Sequence, residues 1–223
     1  MYLVHAAHRR LAASLVGVTD AQVRRPSLLP DWTVGHVLAH VALNAEAFVR
    51  VANDVASGRF GVMYPGGPEG RNADIQKFSE GSADELRAHL ESAFAAFELA
   101  WDAVPPEALD LEFGTAPGNP AATARMVPSL RLREVEVHHA DAGLQTFTYH
   151  DWSDGYVDLD LPVQLASLPA RLGHGASFVD EAGVTHLSGE LDSEVEPIAT
   201  TRRDLLAWML NRAAPPELPL LPT

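Results

Sequence analysis

The chain has 223 residues, no cysteine and a formal charge of −14. That length holds one large domain or two small ones. The acidic balance disfavours nucleic acid and anionic membranes as partners, and the missing cysteine excludes disulfides, cysteine ligands and a protein thiol nucleophile. Anionic small substrates stay possible, because a local arginine or metal reverses the field. No apolar run reaches the ~20 residues a membrane span needs. The opening Met1-Tyr2-Leu3-Val4-His5 lacks the basic segment and apolar core of a signal peptide. A cytoplasmic monomer is expected.

Residues 2–18 read as a helix, with Leu3, Ala7, Leu11 and Leu15 on one stripe. Pro26 breaks the pattern, and residues 27–31 form a short approach loop. The next helix starts at Trp32-Thr33, with Thr33 as N-cap. Its apolar side carries Val37, Val41 and Phe48. A polar stripe of His36, His40 and Asn44 runs beside it, bordered by apolar residues, which suggests that it faces a cavity. Residues 58–71 are rich in glycine and proline and read as a loop that cannot sustain a helix. Met63-Tyr64 and Arg71-Asn72 make it more specific than a linker requires. It lacks the spacing and trailing lysine of a phosphate loop.

Residues 82–101 give the clearest helix. Ser82 and Glu85 form a capping box, and Leu86, Leu90, Phe94, Phe97 and Trp101 line one face. Residues 110–121 read as loop or short strand. A further helix spans roughly 123–142, with Pro128 in its first turns and Gly143 closing it. Four main helices over 1–145 fit an antiparallel bundle. A small α/β module over 150–223 follows. It contains a helix near 158–172 weakened by Pro162 and Pro169. Short strands are expected at 176–179, 184–187 and 194–196, with a final helix from Thr201 to Arg212.

The chemistry gathers in Arg131-Leu132-Arg133-Glu134-Val135-Glu136-Val137-His138-His139. Glu134 and His138 are four apart and share a helix face. A carboxylate and an imidazole so placed make half of a zinc site. His36 and His40 repeat the offset upstream. Together the segments would supply one carboxylate and two imidazoles. Such pairs also arise by chance. Glu134 could instead pair with Arg131 or Arg133, and His138 could be a partly buried histidine bonded to a carbonyl. His139 points about 100° away from His138.

These segments resemble the mycothiol-dependent maleylpyruvate isomerases, within the DinB-like metalloenzymes. Leu28-Leu29-Pro30-Asp31-Trp32-Thr33 followed by His36-Val37-Leu38-Ala39-His40 is similar to the family's first metal segment, and Arg133-Glu134-Val135 with His138 and Asp141 to its second. The resemblance implies zinc on His40, Glu134 and His138, with His36 in reserve and His139 the weaker choice. Met63-Tyr64 and Gly67-Pro68-Glu69 with Arg71-Asn72 resemble the substrate-side loop. Arg71, Tyr64 and Asn44 are implied as cofactor contacts. Arg71 and Arg212 are implied catalytic residues, Arg212 delivered to the active-site cleft by the C-terminal domain. The implied fold is a DinB-like four-helix bundle with a small C-terminal α/β domain. The implied activity is zinc- and mycothiol-dependent isomerisation of maleylpyruvate to fumarylpyruvate, a dicarboxylate substrate with a low-molecular-weight thiol as partner. A mycothiol S-transferase and a non-catalytic metal- or ligand-binding module are the alternatives. The chain departs from the family pattern at His139 and over 140–143.

Overall fold

The computed structural model describes residues 1–191, 196–219 and 221. The chain divides into two compact units, Met1–Phe147 and Thr148–Thr223.

The first unit is a helical bundle. Its elements are α1 (Tyr2–Ser14), the single turn α2 (Asp20–Val23), α3 (Val34–Ala56), α4 (Gly67–Ser79), α5 (Ala83–Asp102) and α6 (Val127–Asp141). The helix α3 is central and packs on α4, α5 and α6, while α1 packs on α5 and α6. Thr33 caps α3 and Ser82 caps α5, each in a capping box that satisfies two orphan amides at the helix start. Val37, Leu38, Val41, Phe48, Leu90 and Phe97 are buried between α3 and its neighbours. Each such side chain contributes about 1.5–3 kcal/mol. Gly35 is required where α3 meets the end of α4, since a Cβ there would lie 2.7 Å from the Ser79 carbonyl oxygen.

Three expectations change here. The helix expected over 2–18 ends at Ser14. Residues 67–71 are not loop but the start of α4, with Pro68 in the first turn. Proline is tolerated there because its missing N–H would have had no helical partner. The helix expected from 123 instead starts at Val127, after strand β3 (Ala122–Thr123) and a 3-10 turn over Ala124–Met126. Strand β1 (Gly61–Val62) pairs in parallel with β2 (Glu112–Gly114), and β2 pairs antiparallel with β3. Gly143 ends α6 with φ +66°, its amide donating to Ala140 O at 3.0 Å. The approach loop docks on that end, where the Leu28 amide donates to the Asp141 carbonyl at 2.9 Å.

The second unit is a small sheet with two helices. Helix α7 (Asp154–Leu172) starts one turn earlier than expected, capped by Ser153, and contains both Pro162 and Pro169. Strand β4 (Ala176–Val179) pairs antiparallel with β5 (Thr185–Ser188) and parallel with β6 (Ile198–Ala199). The Asp180 carboxylate shapes the hairpin turn by accepting from the amides of Ala182 and Val184 and pairing with His186. Of the strand expected at 194–196, Glu194 and Val195 lie outside the described residues, and Glu196 is not in a strand. Helix α8 (Arg202–Met209) ends before Arg212. Asn211 takes φ +56°, and the Arg212 amide reaches back to Ala207 O at 2.7 Å while Asn211 N reaches Trp208 O at 3.0 Å. That is a Schellman stop with asparagine in the left-handed position. Arg212 therefore lies beyond the helix rather than in its last turn.

Candidate metal centre

Helices α3 and α6 face each other across His40 and Glu134. His40 Nε2 lies 2.9 Å from Glu134 Oε2, and His138 Nε2 lies 3.6 Å from the same oxygen. The His40 and His138 rings meet edge to face, with centroids 4.6 Å apart. One donor atom from each of these three residues falls within 4.8 Å of the others. Metal–nitrogen and metal–oxygen bonds near 2.1 Å place tetrahedral ligand atoms roughly 3.4 Å apart. The three side chains fit that requirement, and two imidazoles with one carboxylate are a donor set that suits zinc and leaves a coordination position open.

The protonation states suit coordination too. Burial lowers the His40 pKa, against the opposing pull of Glu134, so the imidazole is neutral. Burial alone would raise the Glu134 carboxyl. The His40 hydrogen bond and the fields of His40, His138 and Arg131 together outweigh it, and the pKa falls to about 2. Ligands that are already deprotonated release no proton on binding metal. Around His40, the Trp32 ring stands edge-on with centroids 5.6 Å apart. His138 is oriented from behind, its Nδ1 donating to Asp141 Oδ2 at 2.9 Å. A ligand histidine whose other nitrogen is held by a carboxylate has its tautomer and ring plane fixed.

The polar stripe on α3 divides into three tasks. His36 belongs to the N-cap, with Nδ1 2.8 Å from Thr33 Oγ1 and Nε2 3.1 Å from Gln76 Oε1. His40 joins Glu134 and His138. Asn44 is buried, and its Oδ1 accepts from Arg131 at 2.7 Å. His139 is directed elsewhere, stacked on Phe147 at 3.8 Å and 2.9 Å from Ser14 Oγ. Arg71, carried by α4, comes to the centre. Its Nη2 donates to His40 Nδ1 at 3.1 Å, and its guanidinium lies over the Tyr64 ring at 5.7 Å. That bond requires a bare Nδ1, which leaves the His40 proton on Nε2, directed at Glu134. Beside the centre runs an open groove lined by Asp31, Trp32, His36, Asn72, Ile75 and Gln76. Arg212, in the second unit, donates from Nη1 to Leu210 O at 2.8 Å.

One residue at this centre was not legible as such in the sequence. Arg131 is wholly buried, whereas arginine is ordinarily a surface residue. The signal was its position three residues before Glu134, on the same face of the helix.

The profile of the mycothiol maleylpyruvate isomerase N-terminal domain matches residues 4–143. Two solved structures share the fold. One is the crystal structure of the mycothiol-dependent maleylpyruvate isomerase, with TM-score 0.80 and 25% identity, over 95% of this chain and 88% of the other. The second is a histidine-to-alanine mutant of that isomerase, with the same figures. No match is found among curated proteins.

Proposed function

Since the chain belongs to the mycothiol-dependent maleylpyruvate isomerase family, we propose that it converts maleylpyruvate to fumarylpyruvate with zinc and mycothiol. The observation that carries this reading is the convergence of His40, Glu134 and His138 in a chain with no cysteine. Such a chain has to borrow its thiol. Zinc held by these residues would supply positive charge that lowers the pKa of a bound thiol.

When bound, the thiol would supply a nucleophile that adds reversibly to the cis double bond, with the displaced π pair taken up by the keto group, so that the substrate could turn about a single bond and the thiol would leave unchanged. Arg71 and Arg212 carry the substrate carboxylates and the enolate charge in this proposal, because a planar fork of donors matches a carboxylate. With His40 Nε2 given to the metal, the imidazole proton would sit on Nδ1, and the Arg71 guanidinium, left without an acceptor there, would turn to the substrate. Tyr64, beneath that guanidinium, steadies it through the ring face. The enzyme is proposed to act as a cytoplasmic monomer. No described helix is long and apolar enough to cross a membrane.

The test is maleylpyruvate with and without mycothiol, following both compounds. Isomerisation predicts loss of maleylpyruvate only when mycothiol is present, with mycothiol conserved. Consumption of one mycothiol per substrate would replace the isomerase by an S-transferase. No thiol-dependent change would leave a binding module.

A further inference from the structure

A second crosspiece joins the two ligand-bearing helices one turn below the first. Asn44 follows His40 by four residues on α3, and Arg131 precedes Glu134 by three on α6. In an antiparallel pair those offsets bring the two residues opposite each other. Arg131 Nη1 donates to Asn44 Oδ1 at 2.7 Å and to the Val41 carbonyl at 3.0 Å. Its Nε donates to His8 Nε2 on α1 at 3.2 Å, and His8 Nδ1 donates to Glu98 on α5 at 2.8 Å. One guanidinium thus reaches α1 and α3 directly from α6, and α5 through His8.

This arrangement is a poor device for stability alone. The guanidinium is 0% exposed, lies over the rings of Phe94 and Phe97 at 5.2 and 5.9 Å, and leaves Nη2 without a hydrogen-bond partner among the described residues. Burial pulls its pKa down to about 9, against the opposing influence of Glu134 and Tyr64. An apolar side chain of similar volume often stabilises such a position as well or better. What the guanidinium adds is directional bonding to one carbonyl and one amide oxygen, both within four residues of His40. A slip of one residue between the helices is 1.5 Å of travel, and metal–ligand distances tolerate about 0.2 Å.

We propose that Arg131 is a positioning residue for the metal centre, holding α3 and α6 in the register that sets His40 against Glu134. The inference rests on the proposed metal site, and its test separates the two. Zinc affinity is measured by competition with a chromophoric chelator, and coordination geometry by the visible absorption of the cobalt-substituted protein. The proteins are the wild type, Arg131→Met, Arg131→Lys and the core control Leu90→Ala, whose side chain is buried on α5. Loss of an outer contact of this kind costs about 10–100-fold in metal affinity. Arg131→Met is expected to show that loss, with a displaced cobalt spectrum and no matching fall in Tm. Arg131→Lys, which keeps the charge but not the fork, is expected to lie between it and the wild type. Should the Met variant not fold, the Lys variant decides by the same criteria. Wild-type affinity and spectrum in a folded Arg131 variant would overturn the proposal, as would an equal loss in Leu90→Ala. A wild type that binds no zinc would instead sink the functional reading, and the Arg131 proposal with it.

Discussion

His138 Nδ1 donates to Asp141 Oδ2 at 2.9 Å, and the Asp141 carboxylate is itself buried. The pair sits within the last turn of α6, so the helix presents a ligand and its support together. Asp141→Asn keeps the shape but weakens the acceptor and removes the charge behind the imidazole. Its zinc affinity should fall about 10-fold or more, with the circular dichroism of the wild type. Chelator competition measures the fall, and an unchanged affinity would mean that His138 is held by packing alone.

The two histidines of α3 should behave in opposite ways. His40→Ala should lose stoichiometric zinc on purification without chelator, as read by elemental analysis. His36→Ala should retain it, because His36 is occupied by the α3 cap and Gln76. Its cost should be a loss of stability on the order of 1 kcal/mol, that of an impaired cap. Zinc lost from both variants, or from neither, would contradict the assignment.

Acid should destabilise the bundle through His8. Burial and then Arg131 lower its pKa from 6.5 to about 2, so the folded protein keeps it neutral while the unfolded chain takes up a proton below pH 6.5. The unfolded state then binds more protons, and stability falls as pH drops from 6.5 toward 2, by up to about 1.4 kcal/mol per pH unit. His40 shifts in the same direction and adds to the slope. His8→Gln should remove the His8 contribution. The difference in urea-unfolding free energy between pH 7.5 and 5.5 should shrink by about 1 kcal/mol relative to the wild type. An identical pH dependence in both proteins would exclude His8 as the source.

Arg212→Lys should keep fold and zinc but lower kcat on the order of 10²-fold, with a smaller change in KM. That pattern marks an interaction stronger in the transition state than with bound substrate. A pure rise in KM would mean uniform substrate binding. Unchanged kinetics would return Arg212 to the role of its Leu210 contact.

Helical periodicity carried much of the bundle, because α3 and α5 each bury a continuous apolar face, whereas the buried side of α6 mixes apolar residues with Arg131, Glu136 and Asp141. The cap residues Thr33 and Ser82 marked two starts to the residue. Glu134 and His138 were visible through their spacing, and the structure brings His40 to them. Helix α4 was hidden because Gly66, Gly67, Pro68 and Gly70 are all breakers on local preference. Burial of Ile75 and Ser79 against the rest of the bundle overrides that preference. The β1–β2–β3 sheet left little signal beyond the loop or short strand read over 110–121, since its strands are two or three residues long and one partner lies some fifty positions away in sequence. Arg131 and His8 escaped for another reason. Their burial depends on each other and on Asn44, and a pairing across three helices has no local pattern.

The contact between the Leu28 amide and the Asp141 carbonyl has an experimental use. Leu28 lies on the segment that leads into α3, and Asp141 holds His138, so this bond spans the entry to one ligand helix and the exit from the other. Leu28 as a whole is 71% exposed, and the bond to Asp141 is the hydrogen bond its amide makes. Its hydrogen–deuterium exchange therefore reads local opening between the two ligand segments. Followed with and without zinc, that amide would report how firmly the metal clasps α3 to α6, at a position outside the coordination shell.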